Sequence, residues 1–334
     1  MNELVFFINK VVIAGSVIGS IYALGAIGVT LIFGILRFAH FAHGDMMTVG
    51  AGLSLVVAVL LSEAGVSTPL PIGFVAMPIA MVLTALLAIG LDRSFYKPLR
   101  DAGVRPVVLV MASVGIMLMM QGLVRLLAGS STRSFFFAER KDIFRIDLPF
   151  LEARRSLVIT EPQVLLIAFT VVAVVALHFF LTRTRHGKAM RAMSDNADLA
   201  RITGINTEQV VWMTWIIGGG LAAAGGTLLS LDVTFKPDLS FNIILPIFAA
   251  AIVGGIGRPY GAIAGGFLVG FTETLAIFNW SILLRPFDAL FPAWLEVPAN
   301  LAFVPTEYKI TIPFFILVAV LVWRPTGLFK GRVL

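Results

Sequence analysis

The chain contains no cysteine, which excludes disulfides, thiolate zinc sites and cysteine nucleophiles. It is also poor in charge: Asp, Glu, Lys and Arg make up 13% of its residues, against about 25% in soluble domains. No G-x-x-x-x-G-K-[ST] occurs. The nearest stretch, Gly187-Lys188-Ala189, lacks both the earlier glycine and the hydroxyl, so the chain has no phosphate cradle of its own. H-E-x-x-H is absent, and four histidines with few acids inside apolar runs give little basis for a hydrolase or proton relay. Met1-Asn2-Glu3-Leu4 has no basic n-region and no small-residue cleavage site, so a cleaved signal peptide is not expected. A non-enzymatic chain binding no metal or cofactor directly is the expectation.

What is present is apolar. Of 334 residues 58% are hydrophobic, and mean hydropathy is +0.96. A water-soluble protein of this size has no room to hide so much apolar surface, so the solvent is a lipid bilayer. The expected fold is all-α: a single transmembrane domain over residues 1–334. Apolar segments run over Val11–Phe33, Met46–Leu61, Ile72–Leu91, Val107–Leu127, Val164–Leu181, Val210–Leu231, Ile243–Val253, Ala262–Phe278 and Ile310–Trp323. A crossing helix needs about 20 residues. Met46–Leu61, Ile243–Val253 and Ile310–Trp323 are short, so either their boundaries run wider than the apolar residues or some are broken helices, in a bundle of about nine spans.

The net charge of +6 reflects Lys and Arg held at one membrane face, not nucleic-acid binding. Arg93, Lys97, Arg100 and Arg105 follow the third span; Arg183, Arg185, Lys188, Arg191 and Arg201 follow the fifth. Arg258 follows the seventh, and Arg324, Lys330 and Arg332 the last. If every span crosses once, all four sets share a side, which the positive-inside rule makes cytoplasmic. The N-terminus is then outside and the C-terminus inside. Gly129–Glu161 carries six basic residues on the outside, nearly balanced by Glu139, Asp142, Asp147, Glu152 and Glu161.

Glycines recur at helix-packing spacing. Gly257, Gly261 and Gly265 fall every fourth residue, Gly266 and Gly270 repeat the interval, and Gly15 and Gly19 do so in the first span. Small residues at this spacing let helix backbones approach closely. A packed bundle of any function needs nothing more.

Two interruptions stand out. The first span ends in Arg37-Phe38-Ala39-His40-Phe41-Ala42-His43-Gly44-Asp45, before a short second span. Leu231–Asp238, which carries Phe235, separates the sixth span from a short seventh that begins near Phe241 and ends in Gly254-Gly255-Ile256-Gly257-Arg258-Pro259. Taking spans one to four and six to nine as halves around the fifth, the breaks fall in matching places and the halves run in opposite senses. Such a pattern suggests an inverted repeat with a central substrate path. Candidate path residues are His40, His43, Gly44, Asp45, Phe235, Phe241 and Glu273. His40 and His43 at i,i+3 with Asp45 invite a metal, but no clear third or fourth ligand accompanies them; polar residues capping a helix start are the plainer reading. Glu273 lies inside an apolar span, where a carboxyl is costly unless it meets a partner or a wet cavity. It is either a structural hydrogen bond or part of gating.

The one long polar, basic insert between apolar segments is Thr182–Glu208. Met190, Met193, Ala197, Ala200 and Ile202 give its helix an apolar side suited to a groove on a partner; a solvated basic linker is the alternative. Together, several blocks resemble the LivH-type permease subunits of branched-chain amino-acid ABC importers. Arg37–Asp45 is similar to that family's N-F-A-H-G-[ED] signature, with His40 where the family usually shows Asn. Gly187–Asn206 resembles its cytoplasmic loop. Ala250–Gly257 and Arg324–Phe329 resemble its C-terminal blocks, A-V-L-G-G-I-G and [RK]-P-T-G-[IL]-[LF].

The resemblance implies a multi-pass protein of the cytoplasmic (inner) membrane. It pairs with a second, LivM-like permease subunit and two ATPase subunits that use the ATP, and an extracytoplasmic binding protein delivers the substrate. It also implies that Arg191–Asn206, with Arg191, Asp195, Asn196, Ala200, Gly204 and Asn206, couples ATPase closure to the permease. The competing class is an ion-coupled secondary transporter of a small polar solute, which predicts intramembrane charge pairs that are scarce here; a channel lacks identifiable rings of charge. The substrate stays open among branched-chain amino acids, other amino acids, amides and urea.

Overall fold

The structure, a computed structural model, describes residues 2–137, 140–147, 156–286 and 298–329. Glu139, Glu152, Lys330 and Arg332 of the charge pattern lie outside these residues. In hydrocarbon every backbone N–H and C=O must be paired within the protein, so apolar runs become helices. The first four are α1 (Asn2–Leu36), α2 (His43–Glu63), α3 (Ile72–Asp101) and α4 (Pro106–Ala128). A two-stranded hairpin, β1 (Ile143–Ile146) and β2 (Leu157–Thr160), precedes α5 (Glu161–Arg183). Then come α6 (Arg185–Asp195), α7 (Ala197–Ile202), α8 (Thr207–Asp232), α9 (Leu239–Gly254), α10 (Pro259–Ile277) and α11 (Thr311–Trp323). Seven of these, α1 to α5, α8 and α10, are long and apolar enough to cross a membrane; α9 and α11 are shorter apolar helices. The molecule is an all-α polytopic bundle.

The hairpin differs from the plain loop expected between the fourth and fifth spans. Its strands pair antiparallel from Ile143↔Thr160 to Ile146↔Leu157. The Thr160 amide then donates to Gln163 Oε1 at 3.2 Å and Pro162 occupies the first turn of α5, which fixes where strand becomes helix.

The two halves are interleaved. Helix α1 packs along α10, and α8 along α3. Within each half α2 packs on α3 and α9 on α10, while α4 covers α2 as α11 covers α9. The first helix of each half therefore lies on the third helix of the other. Helices α1 and α8 meet antiparallel, with Leu24 beside Gly225 and Gly28 beside Gly218. This is the opposite sense that an inverted repeat requires.

Glycine makes the close approaches possible. A Cβ on Gly261 would lie 2.1 Å from the Gly254 carbonyl oxygen, and one on Gly265 2.1 Å from that of Ala250, both on α9. A Cβ on Gly266 or Gly270 would lie 2.5 Å from the backbone nitrogen of Ala23 or Gly19 on α1. Thus α10 packs two neighbours through two glycine faces. Gly257 departs from the expected helical run: α10 begins at Pro259, and Gly257 sits in the preceding turn at φ 85°, where the lack of a Cβ is needed.

Candidate functional site

The chain reverses direction after α1 at Arg37, whose left-handed φ of 61° is the one positive value at a non-glycine among the described residues. The next residues re-enter the bundle instead of crossing a loop. His43 ends up beside Gly28, where a Cβ would lie 2.4 Å from its ring, so Gly28 makes the histidine's place. His40 is fully buried, its ring centroid 5.1 Å from Trp215, 5.5 Å from Tyr96 and 6.0 Å from Phe38. Tyr96 and Trp215 stack at 5.5 Å and 11°. This aromatic cage fastens the re-entrant segment to α3 and α8. From the other side Ser113 of α4 accepts a hydrogen bond from the Phe41 amide at 3.2 Å, and Phe41 stacks on Phe248 at 4.7 Å.

Helix α2, expected to be short, is unbroken over the 21 residues His43–Glu63, because the run Met46–Leu61 gains a turn from His43-Gly44-Asp45; it and the short α9 begin at one point. Ser240 of α9 donates its hydroxyl to Asp45 Oδ1 of α2 at 2.7 Å, and the Ser240 amide donates to Thr48 Oγ1 at 3.1 Å. Ile244 occupies the space left by Gly44. Gln121 and Arg125 of α4 also act on the Asp45 carboxyl. Two helix N-termini, each with positive partial charge, thus share one buried carboxyl. Phe235 is fully buried near Gly52, and its backbone pairs with Arg133 of the loop before the hairpin. Phe241 is 67% exposed on the outside of α9.

Glu273 lies apart from that junction, beside a cavity of about 670 Å³ between α1, α8, α9 and α10. Its carboxyl is 2% exposed; Tyr22 donates to Oε2 at 2.8 Å, and Lys309 Nζ stands 3.9 Å from Oε1. Asp232, Lys236, Asp238 and Glu307 line the polar part of the cavity, and Val17, Ile18, Ile21, Ile243 and Pro246 the apolar part. Of the sequence-derived path residues, the structure groups His40 with His43, and Gly44 with Asp45 at the helix junction. Only Glu273 lines this cavity. Tyr22 and Lys309 escaped the sequence reading, although a tyrosine inside an apolar helix and a lysine abutting another are both visible in the sequence.

In the polar insert, Thr184 caps α6 by accepting from the Gly187 amide at 2.9 Å. Asn196 caps α7, its Oδ1 accepting from Asp198 and Leu199, and Asn206 caps α8 by accepting from Gln209. Gly204 at φ 81° terminates α7, and Ile205 N bonds back to Ala200 O at 3.1 Å. Arg37 Nη2 donates to Ser194 O at 2.6 Å, linking the re-entrant turn directly to α6. Arg191 and Asp195 border a groove shared with Arg258 and Phe329. The apolar side expected to serve a partner is mostly spent internally: Met190 and Met193 of α6 and Ala200 of α7 are buried in the chain's own core, because α6 packs on α5, α8 and α1 and α7 on α8. Ile202, 82% exposed, and Leu199, 58% exposed, are what remain for a partner.

Comparison with known proteins follows the whole length of this arrangement. Residues 11–321 match the family described as "Branched-chain amino acid transport system / permease component". The chain is 29% identical to the high-affinity branched-chain amino acid transport system permease protein LivH of Escherichia coli K12, over 99% of this chain and 98% of that protein. It is 27% identical to the corresponding permease protein BraD of Pseudomonas aeruginosa, with the same coverage. A probable LivH of Methanocaldococcus jannaschii is 28% identical over 80% of this chain and 81% of that protein.

Proposed function

Because the chain belongs to the branched-chain amino acid transport system permease component family, we propose that it translocates branched-chain or related amino acids as one permease of an ABC importer. The family match over residues 11–321 carries this reading. The chain sits in the cytoplasmic (inner) membrane, N-terminus outside, with α6 and α7 facing the cytoplasm. It hydrolyses no ATP and binds no nucleotide; two ATPase subunits do so, alongside a second permease of LivM type and an extracytoplasmic binding protein.

The local geometry supports a route for the motion. Leu199 and Ile202 offer exposed apolar side chains on α7 at the end of the polar insert. A push there moves α6, and the Arg37–Ser194 bond passes it to the re-entrant turn. That turn leads within a few residues to Asp45 and the start of both α2 and α9. An alternating-access change needs such a two-sided element between the ATPases and the membrane interior. The test is uptake of labelled leucine by cells carrying the chain. Uptake is lost when the ATPase genes are deleted and survives an ionophore that collapses ion gradients. The reverse pattern would establish a secondary transporter.

A further inference from the structure

We propose that the cavity beside Glu273 is a binding site for the zwitterionic head of an amino acid, with Glu273 receiving the ammonium group. The proposal rests on the permease reading and names where in this chain a substrate is held. A carboxyl at 2% exposure in an apolar helix is costly unless cations and donors answer it. Tyr22 satisfies Oε2 at 2.8 Å. Among the described residues Oε1 has no hydrogen-bond donor, because Lys309 Nζ, at 3.9 Å, is beyond hydrogen-bond reach. An α-ammonium group carries one positive charge and three donors, which fits that vacant acceptor. Lys309, its side chain 55% exposed and its ammonium ion-paired with Oε1 at 3.9 Å, would exchange that partner for the carboxylate of the same molecule once the ligand's ammonium takes its place.

The remaining surroundings fit the rest of such a ligand. The cavity volume of about 670 Å³ lies within the roughly 300–1,000 Å³ of small-molecule sites. Ile18, Ile21 and Ile243 form an apolar wall against which an aliphatic side chain loses its contact with water.

The absence of native cysteine allows a test that does not depend on transport. Asn242→Cys places one thiol on the cavity wall, and its reaction with a maleimide is followed in the purified, detergent-solubilised chain. Millimolar leucine should slow labelling, while leucinamide, which lacks the carboxylate, and 4-methylpentanoate, which lacks the ammonium, should slow it far less. Adding Glu273→Gln should raise the leucine concentration for half-protection about tenfold or more, the scale of one charged hydrogen bond. The unprotected labelling rate should stay unchanged, which reports an intact fold. If Glu273→Gln disrupts the cavity, Lys309→Met is the second variant, and it should weaken protection by leucine more than protection by leucinamide. Equal protection by all three compounds, or none by leucine, overturns the site. If leucine fails to protect while the assembled importer takes it up, the site falls and the permease reading stands; if the importer takes up no branched-chain amino acid, both fall.

Discussion

Ser240 donates its hydroxyl to the Asp45 carboxyl at 2.7 Å, across a separation of 195 residues, at the point where α2 and α9 both begin. Neither side chain is more than 3% exposed. The bond ties the start of α2 to the start of α9.

Asp45→Ala should therefore lower stability by about 1–3 kcal/mol, because the buried Ser240 hydroxyl loses its acceptor and two helix N-termini lose a nearby carboxyl. Asp45→Asn keeps an acceptor oxygen and should cost less. Thermal unfolding in detergent measures both, and equal melting temperatures for Asp45→Ala and the unsubstituted chain would show the bond to be idle.

The glycine faces make a sharper packing prediction. Gly265→Ala places a methyl where the Ala250 carbonyl oxygen lies 2.1 Å away, so α9 and α10 must separate. We expect a loss of about 1–3 kcal/mol from overpacking. At Gly115 and Gly122 of α4 a Cβ meets nothing within 4 Å, so Gly115→Ala and Gly122→Ala should leave the melting temperature unchanged or raise it. Similar losses at all three positions would refute the close-approach reading.

Coupling is tested best where the fold is indifferent. Ile202 is 82% exposed, so Ile202→Asp should insert and melt normally while weakening association with the ATPase subunits about tenfold or more, as expected when an apolar anchor is replaced by a charge. Leu199→Asp should behave alike. Gly204→Asp is less clean, since φ 81° strains any side chain there. Undiminished ATPase association in Ile202→Asp would place the contact elsewhere.

Topology follows from the same cysteine-free background. Asp101→Cys and Asn196→Cys should react with an impermeant maleimide only from the cytoplasmic side, and Arg140→Cys only from outside. Labelling of Arg140→Cys from the cytoplasm would invert the orientation.

Much of this fold was legible because hydrocarbon leaves apolar chain few options. The helix runs, the short apolar stretches now seen as the helices α9 and α11, and the glycine faces of Gly261, Gly265, Gly266 and Gly270 all rest on local pattern. Features set by distant partners were not legible. Tyr22 and Glu273 meet across 251 residues, and the hairpin forms by pairing within a stretch that reads as polar loop. Gly257 shares the spacing of its neighbours, yet the helix starts two residues later. Met190 and Met193 have the periodicity of a docking face; only the position of α6 on the bundle shows that they face inward.

Under the proposed function, this permease is driven by ATP that partner subunits hydrolyse. The most direct measurement is labelled leucine uptake into proteoliposomes that hold the chain with its second permease, ATPases and binding protein, with and without ATP on the ATPase side. Uptake should require both ATP and the binding protein, and should vanish when the ATPases are left out. Leucine accumulation by this chain alone in ATP-free vesicles, driven by an ion gradient, would contradict the account.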